Sequence, residues 1–185
     1  MRTRNAVAVA AAFLLLLTAS ACSKKVDEKT PSAKAAGIAW MGYTEGMEKS
    51  RSTGKPVMVD FFTTWCKYCV LLEDTTYKDP GIISTLNDNF IAIKVNAEGS
   101  AEVVEKGKKM TERDLAASYK VTGFPTIWFF DGKGAPIGPL PGYNSAADFK
   151  PVLDYISGGA YSKGVKFADY LKEVQKNPAP GKTAK

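Results

Sequence analysis

Histidine is absent from this chain of 185 residues, and cysteine occurs only three times. A structural zinc site takes four ligands, usually Cys and His. The chain cannot assemble that set, so no metal is expected. Without imidazole to join a thiolate, a copper-delivery site is disfavoured as well. Three cysteines are too few for a disulfide-dense scaffold, and the odd number leaves one over. No apolar run reaches the roughly 20 residues that a membrane-crossing helix needs. There is no arginine-rich stripe and no interleaved aromatic platform, so nucleic acid is not an expected partner despite the formal charge of +6. That charge supports only a mild attraction to anionic membrane surfaces. No internal repeat is visible. What is present, 45% hydrophobic and 24% charged residues, suits one globular domain with short extensions.

The extensions are legible. "MRTRNAVAVAAAFLLLLTASAC" carries Arg2 and Arg4, then an apolar run from Ala6 to Leu17, then small residues. That is the layout of an export signal, expected over residues 1–21. Cys22 follows Ala19-Ser20-Ala21, and small residues ending in cysteine resemble the lipobox of bacterial lipoproteins, although Ala19 stands where leucine is usual. The resemblance implies that Cys22 is lipidated, which settles the odd cysteine and provides a membrane anchor. Residues 22–36, including "SKKVDEKTPSAKAA", have no apolar period and are expected to form a flexible tether of up to about 45 Å. The last residues, 177–185, are expected to be a disordered tail.

Between them lies a domain expected over residues 37–176. "GIAWMG" suggests a short strand. "YTEGMEKSRSTG" suggests a helix closed by Gly54. "KPVMVDFF" is a near-continuous apolar run of the kind found in a central strand covered on both faces. A helix from about Cys66 to Tyr77 follows, then one capped by Asp79 with Pro80 at its first position. "FIAIKVNA" returns to strand, and residues 98–120 are polar and suggest a helix broken at Gly107. "TIWFF", "DGKG" and "APIGPL" suggest a hairpin with a tight primed turn. "SAADFKPVLDYIS" and "KFADYLKEVQ" are expected helices. This alternation gives an α/β fold, a three-layer α/β/α sandwich around a central mixed sheet.

Cys66 and Cys69 stand three apart where a strand gives way to a helix. An inert staple is a poor choice there, because stabilisation is smallest for short loops. A redox pair fits best. Free N–H groups and the helix dipole favour a thiolate on Cys66, Trp65 supplies an apolar rim, and Cys69 is placed to attack a mixed disulfide formed by Cys66. Exchange of this kind wants an exposed attacker and a shielded resolving partner.

"VDFFTTWCKYC" resembles the thioredoxin signature. "VTGFPT" is similar to that family's cis-proline loop at Pro125, Gly142 closes the hairpin in the expected place, and "IKVN" resembles the strand that carries a lysine, here Lys94. The likeness covers about residues 55–157. It implies a redox-active Cys66–Cys69 disulfide, Asp60 as proton acceptor behind the resolving cysteine with Lys94 nearby, and substrate contact by Trp65, Phe124 and Pro125. Burial in an apolar strand should also raise the pKa of Asp60. More narrowly, "GKPVMVDFFTTWCKYCVLLEDTTYKDPGI" resembles the C-terminal periplasmic domain of DsbD-type disulfide reductases, whose acidic residue four beyond the second cysteine is here Glu73. In that family the two acids raise the cysteine pKa values. The Lys67-Tyr68 dipeptide departs from the Gly-Pro of thioredoxin, and Lys67 favours a thiolate and hence a more oxidising pair.

These residues imply an extracytoplasmic thiol:disulfide oxidoreductase, lipid-anchored and working as a reductase without a cofactor. Its expected partners are exported proteins with disulfides and a membrane electron donor of the DsbD or CcdA kind. An oxidase or isomerase, and a non-catalytic module holding clients at Phe124–Pro125, are the alternatives.

Overall fold

The computed structural model describes residues 37–177. The expected signal, Cys22, the tether, and all of the tail beyond Asn177 lie outside the described residues.

The apolar run becomes β2 (Val57–Phe62), and it is the middle of a five-stranded sheet. β1 (Trp40–Met41) and β3 (Ile91–Asn96) run parallel to one another, and β3 runs parallel to β2. β6 (Thr126–Phe130) and β7 (Pro136–Pro141) continue antiparallel on the other side, giving the order β1-β3-β2-β6-β7. Side-chain alternation along β2 divides the core in two. Val57, Val59 and Phe61 face Tyr43 and Met47 of α1 (Tyr43–Thr53) and Leu115 of α4 (Glu112–Ser118). Met58 faces the opposite way, with Leu72 of α2 (Lys67–Asp74), Ile82 and Leu86 of α3 (Pro80–Asn89), and Phe149 and Leu153 of α5 (Ala146–Ser157). Helices therefore cover both faces, the expected three-layer sandwich. Both sheet edges are blunted: β1 is two residues long, and β7 carries Pro136, Pro139 and Pro141, which have no N–H to offer. α6 (Phe167–Lys176) packs on α5 through Phe167 and Tyr170 against Tyr155.

Local chemistry sets several boundaries. Gly54 closes α1 at φ 71° with its N–H on the Ser50 carbonyl. Asp79 caps α3 by accepting from the N–H groups of Gly81 and Ile82, with Pro80 next. The expected helix to Tyr77 instead stops at Asp74, and a 3-10 turn (Thr76–Lys78) follows.

Residues 98–120 differ most from expectation. They form an antiparallel hairpin of β4 (Glu102–Glu105) and β5 (Lys108–Thr111), followed by α4. Lys106 and Gly107 both take positive φ, 49° and 78°, which is the primed turn that matches strand twist. The glycine that looked like a helix break is the hairpin's tip. Thr111 and Asp114 then form a capping box that starts α4. The later Asp-Gly also differs: Gly134, not Gly132, takes the left-handed conformation, and Asp131 accepts from the N–H groups of Lys133 and Ala135 across a longer loop.

Candidate active site

β2 ends by aiming the chain at the helix start, so the residues that follow it emerge at one end of the sheet. Cys66 is the N-cap of α2, and its carbonyl accepts from the N–H groups of Cys69 and Val70, both at 3.1 Å. The same Cys69 N–H lies 3.0 Å from the Cys66 sulfur. Cys66 and Cys69 are joined in a disulfide with Cα atoms 5.2 Å apart. A sulfur held by a backbone N–H at a helix start is stabilised as a thiolate once the bond is reduced.

In the disulfide form the two cysteines are equally recessed, 4% and 6% exposed, which corrects the expectation of an open attacker beside a shielded partner. The bond draws both side chains into the first turn of α2. Exposure is carried instead by Trp65 and Tyr68, at 65% and 63%. Trp65 donates from Nε1 to Glu98 at 3.0 Å and meets Phe124 edge-on at 5.9 Å. The Phe124–Pro125 peptide is cis. The Pro125 carbonyl accepts from the Gly142 N–H at 2.8 Å, while the Phe124 backbone makes no backbone hydrogen bond among the described residues.

Behind the disulfide, Asp60 is 2% exposed. It points to the Met58 side of the sheet, with Lys94 its register partner on β3. Burial pushes its carboxyl up to about 6, against the pull of the Lys94 charge and the Tyr77 hydroxyl. Its Oδ1 has no hydrogen-bond partner among the described residues. Lys94 does not bridge Asp60 directly. Its ammonium pairs with Glu73 and lies over the rings of Trp40 at 5.2 Å and Phe62 at 4.9 Å. Burial lowers its pKa, opposed by the charge of Asp60. Asp60, Thr63, Cys69, Val70, Glu73 and Lys94 share one cleft of about 170 Å³.

Asp60, Cys69, Glu73 and Lys94 thus share the cleft, Trp65 and Phe124 touch beside Cys66, and Pro125 adjoins Phe124 through the cis bond, while Cys22 lies outside the described residues. Three that the sequence did not single out join them: Glu98 under Trp65, Trp40 under Lys94, and Tyr77 beside Asp60. Tyr77 sits inside the "TTYKDP" stretch, yet nothing in that spacing says where its hydroxyl points.

A disulfide at a helix start, with a cis-proline loop reached through the Trp65–Phe124 contact and a buried acid in the cleft behind Cys69, fits a centre for thiol–disulfide exchange. Residues 43–157 match the family described as thioredoxin-like domain, and the chain belongs to it. It is 29% identical over 143 residues to the disulfide bond reductase DsbH of Chlamydia pneumoniae, covering 71% of this chain and 85% of that protein. It is 33% identical over 107 residues to the thiol:disulfide interchange protein DsbD of Salmonella paratyphi A. That match covers 56% of this chain and only 17% of DsbD. In fold it is similar to a thioredoxin-fold protein from Helicobacter pylori, with a TM-score of 0.59, 24% identity, and coverage of 81% of this chain and 94% of the other. The chain is thus a thioredoxin-like domain of the thiol:disulfide oxidoreductase type.

Proposed function

We propose that the protein is an extracytoplasmic disulfide reductase, tethered to a membrane through a lipidated Cys22. The Cys66 thiolate attacks a client disulfide; one client sulfur leaves as a thiolate, and the other is held in a mixed disulfide. Cys69 then gives its proton to Asp60 and attacks Cys66. The bond to the client breaks, the second client thiolate departs and takes up a proton, and the Cys66–Cys69 disulfide is restored. Two electrons have passed to the client, and a membrane dithiol donor of the DsbD or CcdA kind must return them. Trp65 and the open backbone of Phe124 beside Pro125 supply the surface on which an extended client segment pairs. Glu73 and Lys94 hold the polar wall of the cleft around Cys69.

The observation that carries the direction is the contrast between Asp60 and Lys67. Lys67 is exposed, so water and salt screen its effect on a thiolate. Asp60 is buried with an oxygen unpartnered, so its negative charge acts on the cysteines at low dielectric and favours the disulfide form. A pair that prefers to be oxidised is a reductant towards clients. The name of the Chlamydia relative points the same way. One observation favours the alternative of an oxidase or isomerase: the Cys69 N–H on the Cys66 sulfur stabilises the reduced form.

The test is reduction of a protein disulfide by the reduced protein. Cys66→Ser should abolish it, and Cys69→Ser should accumulate a mixed disulfide through Cys66. Full activity in Cys66→Ser would leave only a client-holding module. The anchor has its own check: Cys22→Ala should move the protein from the membrane to the soluble fraction, and retention would sink that part.

A further inference from the structure

We propose that Tyr77 is a positioning residue for the exchange chemistry, its buried phenol donating to Asp60 and holding that carboxyl in the ionised form that accepts the Cys69 proton. The inference rests on the reading of Asp60 as proton acceptor.

Tyr77 stands in the 3-10 turn between α2 and α3, and the turn is pinned. Thr76 Oγ1 donates to the Asn144 carbonyl, and Thr75 Oγ1 to the Leu71 carbonyl, both at 2.7 Å. The ring is 4% exposed and packs edge-on against Trp40 at 5.1 Å and tilted against Phe149 at 6.4 Å. Those contacts belong to the ring, and a phenylalanine would make them equally well. The hydroxyl is what needs a reason. It is buried with no hydrogen-bond partner among the described residues, a state that buried polar groups seldom keep.

Asp60 is the polar group it meets. Met58 and Tyr77 share one core cluster, and alternation along β2 turns Asp60 to that same face. Asp60 Oδ1 is likewise buried and unpartnered. Neither oxygen makes a hydrogen bond, yet the Tyr77 hydroxyl acts on the Asp60 carboxyl. A bond from the phenol to the carboxylate would join two orphans. The charged and titratable groups around Asp60 are Lys94 on β3, Glu73 and Cys69 on α2, and Tyr77; the β6 neighbour, Ile127, is apolar. Among these, Lys94 is already engaged by Glu73. Two hydroxyls near Asp60 are buried and uncommitted, Thr63 Oγ1 and the Tyr77 phenol. Of the two, the Tyr77 hydroxyl is the one that acts on the Asp60 carboxyl. When Cys69 loses its proton, the S–H bond breaks, an O–H bond forms on Asp60, and the electron pair stays on sulfur for the attack on Cys66. Tyr77 keeps its own proton throughout.

The test is the titration of Asp60 in the oxidised protein without client, followed by the carboxyl carbon-13 resonance. In the parent protein the midpoint should fall at about 6. Tyr77→Phe should move it up by about one pH unit, as loss of a hydrogen bond to a charged group predicts. Tyr43→Phe, on the other face of the sheet, should leave it in place. An unmoved midpoint in Tyr77→Phe overturns the proposal. In the unmutated protein the Tyr77 Cζ resonance should shift with the Asp60 midpoint, and a flat Cζ trace also overturns it, so a poorly folding variant leaves the question answerable. Electron direction does not enter this titration. An error about reductase against oxidase leaves its result standing, and a failed titration leaves Cys66 chemistry intact.

Discussion

Two acids, each beside tyrosine, lie on opposite sides of the five-stranded sheet: Asp60 is buried on β2, and Glu105 is half-buried in the β4–β5 hairpin. Glu105 takes a hydrogen bond from Tyr43 on one oxygen and from Tyr119 on the other, both at 2.7 Å. Asp60 has Tyr77 beside it and an oxygen without a partner. The first cluster joins the β4–β5 hairpin to the start of α1 and the end of α4. Burial and the Glu105 contact push Tyr119 up to about 12 and Tyr43 beyond that, so neither phenol titrates near neutrality. The second cluster is left incomplete, and its acid is raised into the range where a proton can be taken up and released near neutral pH. Similar side chains make a rivet when every valence is used and, on the proposed reading, a proton-transfer site when one is left open.

The widest separation between the two regions is expected in exchange rate. Cys66→Ser should lower disulfide reduction by about a thousandfold or more, while Glu105→Gln should stay within about twofold of the parent. In stability the order reverses. Glu105→Ala strips the acceptor from the buried Tyr43 phenol and the half-buried Tyr119 phenol and should cost about 3 kcal/mol in denaturant unfolding, with the hairpin amides the first to lose exchange protection.

Asp60→Asn should move stability the other way, and only at the right pH. The folded carboxyl is raised from its ordinary 3.8 to about 6. The folded protein thus holds the proton more tightly than the unfolded chain. The associated stability is fully present below pH 4 and is lost as pH rises through about 6. Replacing the acid should therefore stabilise the protein by about 2–3 kcal/mol above neutrality and by nearly nothing in acid. Equal gains at both ends would mean that burial of Asp60 is not their source. The smallest effect is expected for Glu73→Gln, which breaks a half-exposed pair with Lys94. Its cost should stay below about 1 kcal/mol and shrink with added salt.

How much of this the sequence carried depends on how local each cause is. β2 is visible because a six-residue apolar strand covered on both faces must be uniformly apolar, and Asp60 stands out against that run. Cys66 and Cys69 are visible because helix start, cap and partner lie within four residues. Gly54, Asp79 and Pro80 act on their own turns and are equally plain. The hairpin was missed because β4 and β5 are polar and short, with only Val103 fully buried, so alternation is faint and one glycine serves as helix break or turn tip alike. Tyr77, Trp40 and Glu98 were missed for another reason. Each acts on a residue 17 to 54 positions away, through contacts that exist only after the sheet has formed.

The most direct test of the central claim is the reduction potential of the Cys66–Cys69 pair, measured in a soluble fragment beginning after Cys22 and equilibrated against glutathione. If buried Asp60 outweighs exposed Lys67 and the helix start, the value should lie near that of thioredoxin, about −270 mV. A value near that of the strong oxidant DsbA, about −120 mV, would contradict the account and make the protein one that puts disulfides in.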